Sequence, residues 1–325
     1  MATATPVGTN AINSVTRRFV SPEITDQVYN SVLLLYRLAR ANKKKVQGGL
    51  HIEKVLNYRR MGVGGPYVGF DPLDTAPVDV WKNAAWAWKQ YHVPVTFDGR
   101  SLLVNDSPEA IANLVEGYSE VAREEMQELL GNDLFSDVVT NDERIDGLQG
   151  AVDNGTVAAT YGGLGARTTT NDFWQPDTGA LDTTTAVLTL DALQTVFQAA
   201  VDGAQHPTII ITTDANYNRL WGALQPQQRF PSQAMGSDEQ LAKAGFTNLL
   251  FNNVPVAVDP HCNANHIYFL NENYIEWVVH PSRDIVMTDF IQPGNQDAMT
   301  AQLLFMGNLV ISNIRRQGKM NAVAA

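Results

Sequence analysis

The chain has 325 residues, of which 44% are hydrophobic, enough to bury one large core or two or three smaller ones. Only 18% are charged and the formal net charge is −11, a balance that repels a phosphate backbone and argues against sequence-nonspecific nucleic-acid binding. No apolar run reaches the roughly 18 residues of a membrane span, and the first residues lack the charged and apolar regions of a secretion signal. Cys262 is the single cysteine, so no internal disulfide forms, as suits a protein made in a reducing cytoplasm.

Residues 1–23 are small, polar and irregular and predict an arm. Ile24, Val28, Val32, Leu35 and Tyr36 recur at helical spacing and predict a helix over 24–40, which the basic cluster Lys43-Lys44-Lys45 closes. Residues 46–98 predict a long hairpin. One strand carries Leu50, Ile52, Val55 and Tyr58, and the other runs over 81–97 with Trp86, Trp88, Tyr91, Val93 and Val95. Between them lies a tip rich in Gly and Pro, carrying Tyr67 and Phe70. A two-stranded hairpin is marginal in water, so its aromatic residues need cover from this chain or from another.

The clearest helix covers 107–130, with Ser107 as N-cap, Pro108 at the first helical position and Gly131 as its stop. Its apolar stripe runs through Ile111, Leu114, Val115, Tyr118, Val121, Ala122, Met126, Leu129 and Leu130. The acids Glu116, Glu120, Glu124, Glu125 and Glu128 read as its solvated face. A Gly/Thr-rich stretch over 147–185 precedes a second helix over 190–202, capped by Thr189 and stopped by Gly203. Ile209-Ile210-Ile211 predicts a buried strand, and Asp214 caps a short helix. Residues 225–240 are polar and loop-like and hold Arg229 and Phe230. Short strands follow around 246–251, 254–258, 267–270 and 274–279, then one long strand over 299–312 with a bulge expected at Gly307. The class is α+β.

Chemistry is sparse. Tyr161-Gly162-Gly163-Leu164-Gly165-Ala166-Arg167 lacks the Gly-Lys-Ser/Thr ending of a phosphate loop and the spacing of a dinucleotide fingerprint, and reads as a flexible loop. There is no Gly-x-Ser-x-Gly elbow. His261, Cys262 and His266 fall short of a zinc ligand set, and the six histidines are scattered. No catalytic, cofactor-binding or metal-binding residue is assigned, and no enzyme activity is expected.

The segment 245–260, the runs Ile267-Tyr268-Phe269-Leu270-Asn271 and 274–281, and the ending 293–318 with Gly307-Asn308-Leu309-Val310 and Arg315-Arg316-Gln317-Gly318 resemble the major capsid proteins of tailed bacteriophages with the Hong Kong 97-type fold. The resemblance implies an N-terminal arm and helix over 1–45, an extended loop (the E-loop) over 46–100 and a peripheral domain with a long spine helix over 101–140. It further implies an axial domain over 141–270 and a return to the peripheral domain over 271–325. Such a chain forms hexamers and pentamers of an icosahedral shell around double-stranded DNA, held without sequence-specific binding. It is assembled in the host cytoplasm and resides in the virion. Scaffolding, portal and decoration proteins are the implied partners, with no membrane.

Contacts between subunits are expected from Trp81, Trp86, Trp88, Tyr67 and Phe70 on the hairpin, Arg17 and Phe19 on the arm, and Arg229 and Phe230 on the loop. Some members cross-link a lysine of the extended loop to a neighbour's asparagine. Lys54, Lys82 and Lys89 do not align with that role, and no cross-link is expected. An encapsulin-like cargo shell shares the fold and is the alternative; an enzyme with an unfamiliar site, or a tail or decoration protein, is the weaker one.

Overall fold

The computed structural model of the chain describes residues 32–73, 75–100, 108–137, 143–224, 249–294 and 296–323. The arm with Arg17 and Phe19, the start of the first helix, and the loop with Arg229 and Phe230 lie outside the described residues.

Two sheets and one hairpin carry the strands described. The first sheet is organised by the 14-residue β12 (Ala298–Ile311), which alternates inward and outward through its middle and is buried throughout from Gly307 to Ile311. Along 298–307 it pairs antiparallel with β4 (Lys89–Asp98), and along 307–311 with β10 (Ile275–Val279). The short β11 (Val286–Met287) also joins it. β1 (Lys43–Lys45) adds parallel to β10. The lysine cluster expected to close a helix is therefore a strand. Helix α1 (Leu33–Ala41) ends just before it, and Lys43 and Lys45 reach Asp284 at 2.7 and 3.6 Å.

The second sheet has the order β5-β13-β9-β6-β8-β7, comprising Leu181–Val187, Gly318–Val323, His266–Leu270, Ile209–Thr212, Val254–Val258 and Leu250–Phe251. Its central strands are buried on both faces, which is why their sequences run continuously apolar. Ile209, Ile211, Tyr268 and Leu270 join the larger core shared with the first sheet. Ile210, Ile267 and Phe269 face a smaller core beneath α4 (Leu190–Ala199) and α5 (Asp214–Leu224). The Thr189 hydroxyl accepts from the Ala192 N–H, so the cap read from sequence is present. The tail over 271–325 divides between the sheets: β10, β11 and β12 lie in the first, whereas β13 crosses to the second and pairs with β5 and β9.

Helix α2 (Pro108–Leu134) begins at the expected proline but runs through Gly131, giving 27 residues and about 40 Å. Gly131 is therefore not a stop. A Cβ there would sit 2.9 Å from the His261 ring and from Val32, so the glycine lets α1 and the 259–266 turn close onto the helix. Val115, Ala122, Met126, Leu130 and Leu134 form the buried stripe. The expected stripe was too wide: Val121 faces outward, and Tyr118 lies at the stripe's edge, half exposed with its ring edge-on to Phe97 at 5.1 Å.

Gly307 is likewise not a bulge. It keeps register on both edges, opposite Lys89 and Val279. A Cβ there would lie 2.5 Å from the Val278 carbonyl and 2.8 Å from Phe305, whose ring stacks on Trp277 at 5.4 Å. Gly307→Ala is expected to cost about 2 kcal/mol by overpacking, read as a lower urea midpoint of the unassembled subunit.

A buried charge also ties the second sheet to the segment 149–153. Lys319 of β13 is buried, donates to the Gln149 carbonyl at 2.9 Å and lies 3.8 Å from Asp153. Burial pushes its ammonium down to about 8, against the pull of Asp153. The unfolded lysine keeps its proton up to about 10.5, so between these values the unfolded chain binds more protons. This group's contribution to stability therefore rises with pH from about 8 to about 10.5. Urea midpoints at pH 7.5 and 9.5 should show that rise in the parent chain and lose it in Lys319→Met.

Candidate intersubunit surface

The hairpin is built from β2 (His51–Asn57) and β3 (Trp81–Ala87), which pair antiparallel over seven positions from His51 opposite Ala87 to Asn57 opposite Trp81. The run 81–97 expected as one strand is thus two. It breaks at Trp88, after which β4 leaves the hairpin for the first sheet.

Period-two alternation gives the hairpin one covered face. Ile52, Leu56, Ala84 and Trp86 point inward and are buried. Trp86 was expected against a neighbouring subunit; instead it is 1% exposed within its own chain. Its ring meets Tyr161 edge-on at 5.7 Å and Trp174 at 6.4 Å. Gly162, in the left-handed region at φ +57°, passes close under the indole, and its carbonyl accepts from the Ala85 N–H at 2.9 Å.

The segment 161–167 is therefore not a flexible loop. It is a socket, and Arg167 braces it. The buried guanidinium donates to the carbonyls of Trp174, Gly150, Ala158 and Ala151 at 2.8, 3.0, 3.3 and 2.7 Å. Burial lowers its pKa to about 10, against the pull of Asp153, so it remains a cation at neutral pH. The Tyr161 hydroxyl accepts from the Ile311 N–H at 3.0 Å, which seats the socket on β12.

Charged contacts hold both strands of the hairpin. Lys54 of β2 and Lys44 of β1 both meet Glu276 of β10. Burial raises the Glu276 pKa, but the two ammoniums outweigh it and hold the carboxyl below its usual range. Lys82 of β3 donates to Asn171 Oδ1 at 2.6 Å and lies over the rings of Tyr58 and Phe173. Trp88 is half-buried, its Nε1 donating to the Gly49 carbonyl at 3.1 Å and its ring edge-on to His280.

The far end has no such cover. Trp81 is 66% exposed, Tyr67 63% and Phe70 fully. The residue list read from sequence missed Leu50, Val55, Met61, Val68 and Leu73, which are equally open. More than half of the exposed large apolar side chains among the described residues lie between 50 and 81. The signal available in the sequence was the pairing of apolar residues with a Gly/Pro-rich tip that offers them no neighbours.

The remaining candidates for chemistry, Cys262 and His261, are tied into the fold. Cys262 is buried, and burial with the nearby Asp259 pushes its thiol pKa upward, away from the reactive thiolate. His261 spans from Asp259 at 3.3 Å to Glu128 of α2 at 2.9 Å and so pins the turn to the long helix. Among the described residues no group of His, Cys, Asp and Glu could hold a metal ion, and no helix is long and apolar enough to cross a membrane.

A family model described as SU10 major capsid protein matches residues 142–313, which include the socket, both sheets' central strands and β12. The chain belongs to the SU10 major capsid protein family. It is a structural subunit of a capsid shell and resides in the virion.

The fold agrees across solved structures. The chain is similar to the capsid protein of cyanophage A-1(L), with a TM-score of 0.63 at 17% identity, covering 92% of this chain and 96% of that one. It is similar to the capsid of a native GTA particle, with a TM-score of 0.54 at 13% identity over 88% and 90% of the two chains. It is also similar to the SrpI encapsulin of Synechococcus elongatus, with a TM-score of 0.51 at 12% identity over 88% and 87%. No curated protein sequence matches the chain. These likenesses identify the α+β architecture of this capsid protein as the Hong Kong 97-like fold.

Proposed function

We propose that this capsid protein assembles through its hairpin into hexamers and pentamers of an icosahedral phage head that encloses double-stranded DNA. The observation that carries the reading is the contrast within one hairpin: a base locked to its own subunit by Trp86, Lys54 and Lys82, and a tip whose apolar side chains have no cover. A rigid base with an uncovered apolar end is built to reach a neighbour. In this reading the hairpin is the extended loop of the fold. The first sheet with α2 forms the peripheral domain, and the second sheet with α4 and α5 forms the axial domain. The acidic chain contains its DNA without holding it, and scaffolding, portal and decoration proteins are its partners in head assembly. The role is structural, with no catalytic step.

Phe70→Ser tests this. Its ring touches nothing in the subunit, so the melting temperature should hold while shells, counted by negative-stain microscopy and gradient sedimentation, fall at least about tenfold. Shells at the parental yield would overturn the proposal.

A second reading is an encapsulin-like compartment, favoured by the likeness to the SrpI encapsulin. Shells recovered with packaged DNA would support the phage head; shells holding a bound protein cargo and no DNA would support the compartment.

A further inference from the structure

Asn154-Gly155 is the chain's single Asn-Gly pair. A glycine after asparagine leaves the next backbone nitrogen unshielded, so that it can attack the side-chain carbonyl and close an imide ring. The turn around this pair supplies more than access. Asp153 is buried, and its Oδ2 accepts from the Gly155 N–H at 2.8 Å. A general base must stand at that distance from the proton it takes. The Val157 and Ala158 N–H groups, at 2.8 and 3.4 Å, fix the same oxygen, while Oδ1 faces Lys319 at 3.8 Å.

The electrophile is prepared as well. Asn154 Oδ1 accepts from the Thr156 hydroxyl at 2.6 Å and from the Thr156 N–H at 3.2 Å. Both donors are aimed at the oxygen that gains negative charge when the carbonyl is attacked. Gly155 lies at φ +97°, a conformation open to glycine. Asn154 is half-buried and Thr156 exposed, so water reaches the group.

We infer that Asn154 is a self-modification site, converted to aspartate and isoaspartate with Asp153 as general base and Thr156 as oxyanion donor. The Asp153 carboxylate takes the Gly155 N–H proton as that nitrogen bonds to Asn154 Cγ. The Cγ–Nδ2 bond then breaks, and Nδ2 leaves as ammonia with the proton. Water opens the imide at its side-chain or its backbone carbonyl and gives the two products. The site borders the socket: the Ala158 carbonyl accepts from Arg167 at 3.3 Å, and a Cβ at Gly155 would lie 3.5 Å from the Arg167 side chain. Each conversion adds a negative charge there, and isoaspartate lengthens the backbone of the turn.

The test incubates the full-length protein at neutral pH and follows Asn154 by peptide mapping and mass spectrometry. The residue should show the mass change of an amide turned to an acid, take up one oxygen from heavy-oxygen water and yield an isoaspartate fraction. Conversion should be faster in the native chain than in the same chain held in urea. Thr156→Val keeps the backbone donor and loses the hydroxyl, so it should slow conversion about tenfold. Its melting temperature should match the parent's, since the side chain is exposed. The base has a separate readout. Hydroxide drives this reaction in an unfolded chain, so the rate there rises in step with pH. With Asp153 taking the proton, the native rate should change by less than about twofold between about pH 6 and 7. Lys319 and Arg167, the charged groups facing Asp153, both stay cationic over that range. An intact Asn154, conversion no faster in the native chain than in urea, a parental rate in Thr156→Val, or a native rate that follows hydroxide each overturns the inference.

Discussion

Replacing Trp86 by alanine will lower the unfolding free energy of the subunit by about 4 kcal/mol, within the usual cost of truncating a buried tryptophan. The ring is closed in by Tyr161, Trp174 and Gly162, elements that precede and follow one another by strand, loop and turn and cannot all collapse into the space it leaves. The loss should also be local. Trp86 is the largest buried side chain of the hairpin, so its removal detaches the hairpin from the socket before the sheets open. Urea unfolding measures the global loss. Hydrogen exchange should show the amides of β2 and β3 losing protection while those of β12 keep it. Gly162→Ala attacks the same contact from the other side and should follow the same pattern, with the added strain of a left-handed backbone. Uniform loss of protection across hairpin and sheets would refute the view of the hairpin as a separately anchored unit.

Arg167→Leu is the second large effect, again about 4 kcal/mol, and for a different reason. Leucine fills part of the space but leaves four carbonyls without their donor. It also leaves Asp153 buried with less positive charge around it. Arg167→Lys should recover little of this, because a single ammonium cannot reach carbonyls on three sides as a planar guanidinium does. The measurement is the urea midpoint of both variants, and a lysine variant within about 1 kcal/mol of the parent would show that charge alone, not the fork geometry, supports the socket.

Together these two substitutions describe how the subunit separates its tasks. The socket is assembled within the chain and fixes the angle at which the hairpin leaves it. The tip's exposed side chains can then vary without weakening the core. Phe70 and Trp86 lie on one hairpin, yet the first should affect only assembly and the second mainly stability.

Much of this was legible beforehand. The α2 helix announced itself through Pro108 and its stripe, α4 through the Thr189 cap, and the central strands through continuous apolar runs, because capping, periodicity and two-sided burial are local properties of sequence. The capsid family was legible in the ending around β12. What the tertiary structure alone decided were matters of contact between distant segments. Alternation places Trp81 and Trp86 on opposite faces of one strand, but only the socket, some seventy residues later in the chain, determines which face is covered. The one breaker in the run 81–97, Pro94, lies inside β4 and does not announce the division at Trp88; the division exists because β4 finds a partner in β12. Gly131 and Gly307 looked like a stop and a bulge because glycine's usual signal is conformational, whereas here both make room for side chains and backbone brought in from elsewhere. Sequence by itself thus determined the elements and the kind of protein, through local physics and family pattern. The tertiary structure decided which aromatic residues belong to the subunit's own core and which stay exposed, because burial depends on what long-range folding brings alongside.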